Sequence, residues 1–167
     1  EIHALAERLK QARILFLSST SEGGGVAEML HPISALYRGL GIHLDWLTMN
    51  PPTGFFDVTK NIHNGLQGGD VVITDAEWRL YESVNRDTAK DLNPKDWDVV
   101  MVHDPQPAAV RSFTGDGGIP WAWRCHIDLS APNPAIARRF SPFVEPYEGA
   151  VYSMQQYELP GFTPAHE

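Results

Sequence analysis

The sequence contains a single cysteine, Cys125, in 167 residues. One cysteine excludes an intramolecular disulfide framework and a cysteine-rich zinc site. Basic residues are also scarce, since the sequence has 13 Lys and Arg but 21 Asp and Glu. Its formal net charge is therefore −8. Because sequence-independent affinity for nucleic acid comes from clustered Lys and Arg, this balance argues against a nucleic-acid partner.

Long hydrophobic runs are missing as well. The apolar runs, such as residues 99–102, are far shorter than the roughly 20 residues that a membrane helix needs. Residues 1–13 carry charge throughout and include no apolar signal-peptide core. We therefore expect a cytoplasmic protein with no membrane partner.

The composition is that of a folded domain, with 43% hydrophobic residues. A chain of this length buries roughly 70% of its surface on folding, so its core needs no disulfide or metal to hold it together. We expect a leading helix over residues 1–12, one main domain over residues 13–155, and a tail or linker over residues 156–167.

The hydrophobic pattern alternates between strands and helices. Continuous apolar runs at 14–17 and 99–102 predict strands buried on both faces, and shorter signals predict strands at 42–46, 121–124 and 150–152. Apolar residues at three- and four-residue steps predict helices over 26–40 and 55–66, and weaker patterns predict helices over 76–89 and 136–140. Strands separated by helices form a parallel sheet, so the predicted fold class is α/β: a Rossmann-like, doubly wound parallel sheet.

Polar loops follow three of the predicted strands. They cover residues 18–25 after the first strand, 103–107 after the 99–102 strand, and 126–130 after the 121–124 strand. In an open parallel sheet, ligands bind beyond the carboxyl ends of the strands, so we expect the three loops to project from one edge.

The first of these loops carries Gly23, Gly24 and Gly25 in front of a helix. Backbone N–H groups at a helix start can meet an anion, and glycine lets that anion approach closely. No Gly-Lys-Ser/Thr follows, and after Gly23 and Gly25 no third glycine completes a dinucleotide fingerprint. The alternative is a tight strand-to-helix turn without a ligand, although three successive glycines exceed what such a turn requires.

The other two loops carry acid and imidazole groups. Asp104 directly follows a buried strand, where its carboxylate can accept hydrogen bonds from a sugar hydroxyl or act as a base; the alternative is that it caps a helix beginning near Pro105 or Pro107. His126 and Asp128 follow the next strand, and a structural hydrogen-bonding role competes with a catalytic one for this histidine. We expect no metal site, because no His-x-x-x-His pair occurs, and we interpret Cys125 as a structural thiol.

Four blocks of sequence together resemble a known family. They are GGGVAEMLH at 23–31, FFDVTK at 55–60 followed by HN at 63–64, VHDPQP at 102–107, and WRCHIDLS at 123–130. In this order they resemble the amino-terminal half of trehalose glycosyltransferring synthases, over about residues 13–155. The resemblance implies a retaining glycosyltransferase of the GT-B type, family 4, in which two Rossmann-like domains face a cleft. Such enzymes join a nucleotide-activated glucose to free glucose to make α,α-trehalose.

The resemblance also implies roles for individual residues. Gly23, Gly24 and Gly25 would border the donor, while Asp104 and His126 would be the catalytic pair, the first holding acceptor hydroxyls and the second contacting the transferred glucosyl unit. In such retaining transfer the donor phosphate can itself take the acceptor proton, so no protein nucleophile is assigned. Residues implied to bind the acceptor or support the site are Glu28, Lys60, Asn64, Gln106, Arg124 and Asp128.

The same resemblance sets expectations for ligands and partners. It implies that the protein has no tightly bound cofactor and uses a donor such as UDP-glucose or ADP-glucose, with which Mg²⁺ could bind. It also implies that the protein could form a homodimer. The nucleotide-binding second domain of the family would be missing from these 167 residues, so the chain alone is expected to be inactive. Alternatives are half of a trehalose phosphorylase-like enzyme, a non-catalytic sugar-binding module and, least favoured because the fingerprint fails, a nucleotide-dependent oxidoreductase.

Overall fold

The computed structural model describes residues 1–161, so residues 162–167 of the predicted tail lie outside the described residues. Five parallel strands form one sheet in the order β2-β1-β3-β4-β5. The strands are β1 (Arg13–Ser18), β2 (His43–Thr48), β3 (Val99–His103), β4 (Trp121–Arg124) and β5 (Gly149–Val151). The α-helices are α1 (Ile2–Leu9), α2 (Gly25–Gly39), α3 (Phe55–Leu66), α4 (Asp75–Lys90), α5 (Val110–Thr114) and α6 (Pro134–Val144).

Helices cover both faces of this sheet. On one face, Ile14 and Phe16 of β1 pack with Ala6 of α1 and Leu30 of α2. On the other face, alternate residues of β1, β3 and β4 pack with α3, α4 and α6 in a larger core. The predicted Rossmann-like, doubly wound α/β fold is therefore confirmed.

The winding reverses between β1 and β3. From β1 the chain passes through α2 to β2 on one side, then crosses by α3 and α4 to β3 and continues outward through β4 to β5. In open α/β sheets, ligands bind in the crevice at such a reversal, beyond the carboxyl ends of the strands. The loops that follow Ser18 and His103 lie at this crevice.

Local signals explain where α4 and α6 lie. Helix α4, whose pattern is weak in sequence, begins with a capping box in which Thr74 and Glu77 satisfy each other's backbone N–H groups. Helix α6 begins at the Asn133 cap but runs four residues beyond the predicted end at Phe140, to Val144. Pro142 weakens the pattern there, whereas burial of Val144 one turn after Phe140 holds the last turn against the core.

The chain after β5 also packs on the domain. Gln155–Tyr157 forms a 3-10 turn, and the carbonyl oxygen of Tyr157 accepts a hydrogen bond of 3.2 Å from the backbone N–H of Leu129. Leu159 is 2% exposed and belongs to the main core. Tyr157 and Leu159 of the predicted tail thus contact the domain. Within residues 1–161, no helix is both long and apolar enough to cross a membrane.

Candidate functional site

A cavity of about 300 Å³ opens at the carboxyl ends of β1 and β3, where the winding reverses. The loop after β1, the loop after β3 and one face of α3 form its walls. It is lined by Ser18, Ser19, Thr20, Gly23, Gly24, Gly25, Val26, Ala27, Phe56, His63, His103, Asp104 and Gln106. A larger cavity of about 490 Å³, between β2 and α4, contains none of the predicted site residues.

The glycine loop leaves open space beside the cavity. Gly23 and Gly24 have φ angles of +68° and +86°, which side chains other than glycine rarely adopt. Gly25 has no such angle, and a Cβ added there would meet no atom within 4 Å. Turn geometry therefore does not require glycine at position 25. No side chain caps the start of α2 at Gly24, so its first N–H groups are available to an anion.

Side chains from β1, β2 and α2 hold this loop in place. Trp46 donates its indole N–H to the Ser18 hydroxyl at 2.8 Å, and that hydroxyl donates to the carbonyl oxygen of Thr20 at 3.1 Å. The His31 ring donates to the carbonyl oxygen of Ser21 at 3.0 Å and contacts the Trp46 ring edge-on at 4.9 Å between centroids. The loop is thus pre-organised before any ligand arrives.

Asp104 adopts a strained backbone conformation at the cavity. Its φ of +68° is the one left-handed value outside glycine in residues 1–161, and the residue is 7% exposed. Its N–H donates to the Arg124 carbonyl oxygen at 2.9 Å, and its Oδ1 accepts from the backbone N–H of His126 at 2.8 Å. Helix α5 starts later, with Ala109 as its N-cap residue, so the helix-capping alternative is wrong. Such strain costs about 1–3 kcal/mol and clusters at ligand sites.

Burial is the main influence on the Asp104 carboxyl, and it raises the pKa of that group. The backbone N–H of His126 opposes this shift, as do the His63 imidazole and the Arg124 guanidinium, but they do not outweigh burial. Hydrogen bonds to a carboxylate are stronger in a low-dielectric site than in water. The second carboxylate oxygen is therefore a strong acceptor for a ligand hydroxyl.

Two histidine rings lie edge to edge next to Asp104. His103 Nδ1 and His126 Nε2 are 3.1 Å apart, and the rings are nearly parallel, with an angle of 12° and centroids 5.4 Å apart. Burial lowers the pKa of His103 to about 3, with His126 and Arg124 contributing. Burial, assisted by Arg124, lowers the pKa of His126 to about 4. Both rings are therefore neutral near neutral pH. His103 is part of the cavity lining, whereas His126 is half-buried beside it and is not.

The remaining predicted residues differ in whether they line this cavity. Gln106 is part of its lining. Arg124, at the end of β4, donates to the Ser153 hydroxyl at 3.2 Å. Asp128 accepts the backbone N–H of Ser130 at 2.8 Å, and bonds to Ser130 lower the pKa of its carboxyl. Residues that are exposed and outside the lining are Glu28, Lys60 and Asn64.

The predicted set of site residues did not include the three lining residues with ring side chains, Phe56, His63 and His103. Phe56 and His63 lie seven residues apart on α3, so they share a face, which flanks the core face that includes Ile62. The Phe56 side chain is 48% exposed and contributes an aromatic wall. His103 lines the cavity because it is the last residue of β3. The seven-residue spacing of Phe56 and His63 was a signal that could have placed both on the cavity side of the helix.

Cys125 is fully buried, and burial raises the pKa of its thiol to about 12, in keeping with a structural role. Within the part of the chain that the structure describes, no group of three or more His, Cys, Asp or Glu side chains could hold a metal ion.

Comparisons with known proteins agree with the fold. The family model described as the trehalose synthase N-terminal domain matches residues 16–159. A trehalose synthase from Rubrobacter xylanophilus is 45% identical over 98% of this chain and 41% of its own length. A trehalose synthase from Pyrococcus horikoshii is 43% identical over 96% of this chain and 39% of its own length. A trehalose phosphorylase from Pleurotus sajor-caju is 34% identical over 91% of this chain and 22% of its own length. The chain thus spans about two fifths of the synthases that it matches.

Proposed function

Because this chain belongs to the family of trehalose synthase N-terminal domains, we propose that it is the acceptor-side half of a retaining GT-B glycosyltransferase. The whole enzyme transfers glucose from a nucleotide-glucose donor, UDP-glucose or ADP-glucose, to free glucose and forms α,α-trehalose. The acceptor glucose binds in the cavity at the ends of β1 and β3.

The observation that carries this proposal is Asp104, a strained and buried carboxylate at the wall of that cavity. One of its oxygens already accepts the His126 N–H, which leaves the other for a sugar hydroxyl. The cavity volume of about 300 Å³ lies at the small end of the range for ligand sites and suits a single sugar ring. The Phe56 ring offers an apolar surface to the C–H face of that sugar.

The glycine loop serves the donor in this proposal. The uncapped N–H groups at the start of α2 face the donor diphosphate, and Gly25 lets it approach. With a net charge of −8, residues 1–167 provide no broad positive field, so neutralisation of the diphosphate is local here and otherwise belongs to parts of the enzyme outside this chain.

The proposed transfer balances without a protein nucleophile. The bond from glucose C1 to the donor phosphate oxygen breaks, and a bond from C1 to the acceptor hydroxyl oxygen forms on the same face. The hydroxyl proton passes to the departing phosphate. Asp104 orients the acceptor, and His126 contacts the glucosyl unit as it moves.

A second candidate is a trehalose phosphorylase-like reaction, which the 34% identity to the Pleurotus enzyme favours. In that reaction inorganic phosphate would replace the nucleotide, and trehalose would be the glucosyl donor. A non-catalytic sugar-binding module is the third candidate, and it differs from both by showing binding without turnover.

The testing experiment is an activity assay of the full-length gene product. It combines glucose with UDP-, ADP- or GDP-glucose, and separately trehalose with phosphate, and identifies the sugar products by NMR. We expect α,α-trehalose from at least one nucleotide donor, and a loss of roughly 10- to 100-fold in activity for Asp104→Asn. Asp87→Asn, an exposed α4 carboxylate paired with Lys90, is the control and should retain activity. No turnover with any donor or with phosphate would contradict an enzymatic role.

A further inference from the structure

We propose that His103 is a positioning residue that fixes the ring and the tautomer of His126, so that His126 presents an N–H at Nδ1 to the transferred glucosyl unit. The sugar as recipient of that N–H rests on the proposed function. The tautomer itself follows from contacts within this chain.

The surroundings of His103 leave its ring little freedom. The residue is 3% exposed, and Phe16 packs edge-on against it with ring centroids 4.8 Å apart. On its other side lies the parallel ring of His126, joined to it by the 3.1 Å contact between Nδ1 and Nε2. The backbone of His126 is in turn held by the Asp104 carboxylate. The pair is therefore fixed as one unit with Asp104.

Only one proton can occupy the contact between the two nitrogens. Because both rings are neutral near neutral pH, each carries one N–H and one lone pair. Either His103 Nδ1–H donates to the lone pair of His126 Nε2, or His126 Nε2–H donates to the lone pair of His103 Nδ1. The two arrangements differ in what they place on the remaining nitrogen of each ring.

The remaining nitrogen of His103 decides between them. Its Nε2 is buried and has no hydrogen-bond partner within residues 1–161. If His126 donated, this Nε2 would carry a buried N–H without an acceptor. If His103 donates, the same site is an unsatisfied lone pair. Among backbone groups, orphaned buried N–H groups are rarer than under-satisfied carbonyl oxygens, and by the same reasoning we take His103 as the donor.

This choice defines the chemistry of His126. Its Nε2 is occupied as an acceptor, so its proton lies on Nδ1, which makes no hydrogen bond to the rest of residues 1–161. A neutral imidazole with a free N–H donates to an oxygen atom of a ligand and does not remove a proton from it. His126 therefore acts as a hydrogen-bond donor to a sugar oxygen, and His103 holds it in that state.

The test is ¹⁵N NMR of the imidazole rings in the 167-residue chain at neutral pH. We expect His126 to show a protonated Nδ1 and an unprotonated Nε2. His103→Phe keeps an aromatic ring against Phe16 but removes the donor, so His126 should shift toward protonation at Nε2. His103→Asn keeps a donor near the Nδ1 position and should preserve the wild-type tautomer. His31→Phe, which removes another ring N–H bonded within a loop, is the control and should leave His126 unchanged.

Two results would overturn the proposal: a wild-type His126 protonated at Nε2, or a His126 tautomer that His103→Phe does not change. If His103→Phe does not fold, the wild-type spectrum and the His103→Asn variant still decide. In the full-length enzyme, His103→Phe should lower kcat/KM about tenfold, the effect of one lost hydrogen bond, while His103→Asn stays near wild type. If the full-length enzyme makes no trehalose, the proposed function fails, but the tautomer result stands separately.

Discussion

Replacing Asp104 with asparagine should stabilise the domain while it weakens sugar binding. Asparagine keeps an Oδ1 acceptor for the His126 N–H and tolerates the left-handed backbone with its φ of +68°. It removes a carboxylate that is only 7% exposed. We expect the free energy of unfolding at neutral pH to rise by about 1 kcal/mol, within the usual range for a single substitution.

The effect should depend on pH in a defined direction. Burial raises the pKa of Asp104 in the folded state, so the folded chain binds this proton more tightly than the unfolded chain. The contribution of Asp104 to wild-type stability therefore falls as pH rises from the unfolded-state pKa through the raised folded-state pKa. In more acidic solution the carboxyl is neutral in both states, and the advantage of asparagine should disappear.

Thermal and urea unfolding of the 167-residue chain, repeated from acidic to neutral pH, measures this difference. For a chain of this size, 1 kcal/mol corresponds to a Tm change of roughly 2–4 °C. Asp128→Asn is a matched control that should change the free energy of unfolding in the opposite direction, because bonds to Ser130 lower the pKa of Asp128. Its carboxylate contributes stability above the unfolded-state pKa, and that contribution is lost as pH falls. Asp128→Asn should therefore be less stable than wild type at neutral pH and converge with it in acid.

The reasoning is refuted if Asp104→Asn is less stable than wild type at neutral pH, or if its advantage does not shrink in acid. Either result would mean that the carboxylate is satisfied by its protein neighbours and has no spare acceptor for a ligand. The same variant should bind glucose roughly 10- to 100-fold more weakly, because a hydrogen bond to a charged group is lost.

Three further substitutions test the loop, the packing and the aromatic wall. Trp46→Phe removes the 2.8 Å bond to Ser18, so it should lower the free energy of unfolding by about 1 kcal/mol and speed amide exchange over residues 18–25; unchanged exchange would contradict the bracing role. Gly65→Ala would place a Cβ 2.8 Å from Ile136 Cγ1 and should cost roughly 1–3 kcal/mol in urea unfolding, whereas a gain in stability would show that α6 can move aside. Phe56→Ala should weaken glucose binding about fivefold in an NMR titration, the effect of roughly 1 kcal/mol of lost ring contact, and an unchanged Kd would exclude the ring as a sugar platform.

The fold could be predicted from local signals in the sequence. The continuous apolar run in β1 and the run in β3 mark strands buried on both faces, and the four-residue steps in α3 mark a helix with one apolar side. Once the sheet is parallel, the loops after Ser18 and His103 must meet at one edge. The end of α6 was less predictable, because Pro142 interrupts the local pattern and only burial of Val144 shows that the helix continues.

The pairing of two histidines could not be predicted in the same way. His103 and His126 are 23 residues apart in sequence, and their contact depends on the register of β3 against β4, in which His103 lies opposite Arg124. No local periodicity determines that register. The left-handed conformation of Asp104 is similarly invisible in sequence, since it is imposed by hydrogen bonds to β4 and to the loop that follows it.

The most direct test of the glucose site is a titration of the ¹⁵N-labelled 167-residue chain with glucose, followed by amide chemical shifts. Sorbitol at the same concentrations controls for a general polyol effect. We predict saturable shifts at Gly23, Gly24, Gly25, Asp104 and His126 with glucose, and strongly weakened shifts in Asp104→Asn. If high millimolar glucose moves these amides no further than sorbitol does while the chain remains folded, the cavity at the ends of β1 and β3 is not an acceptor site.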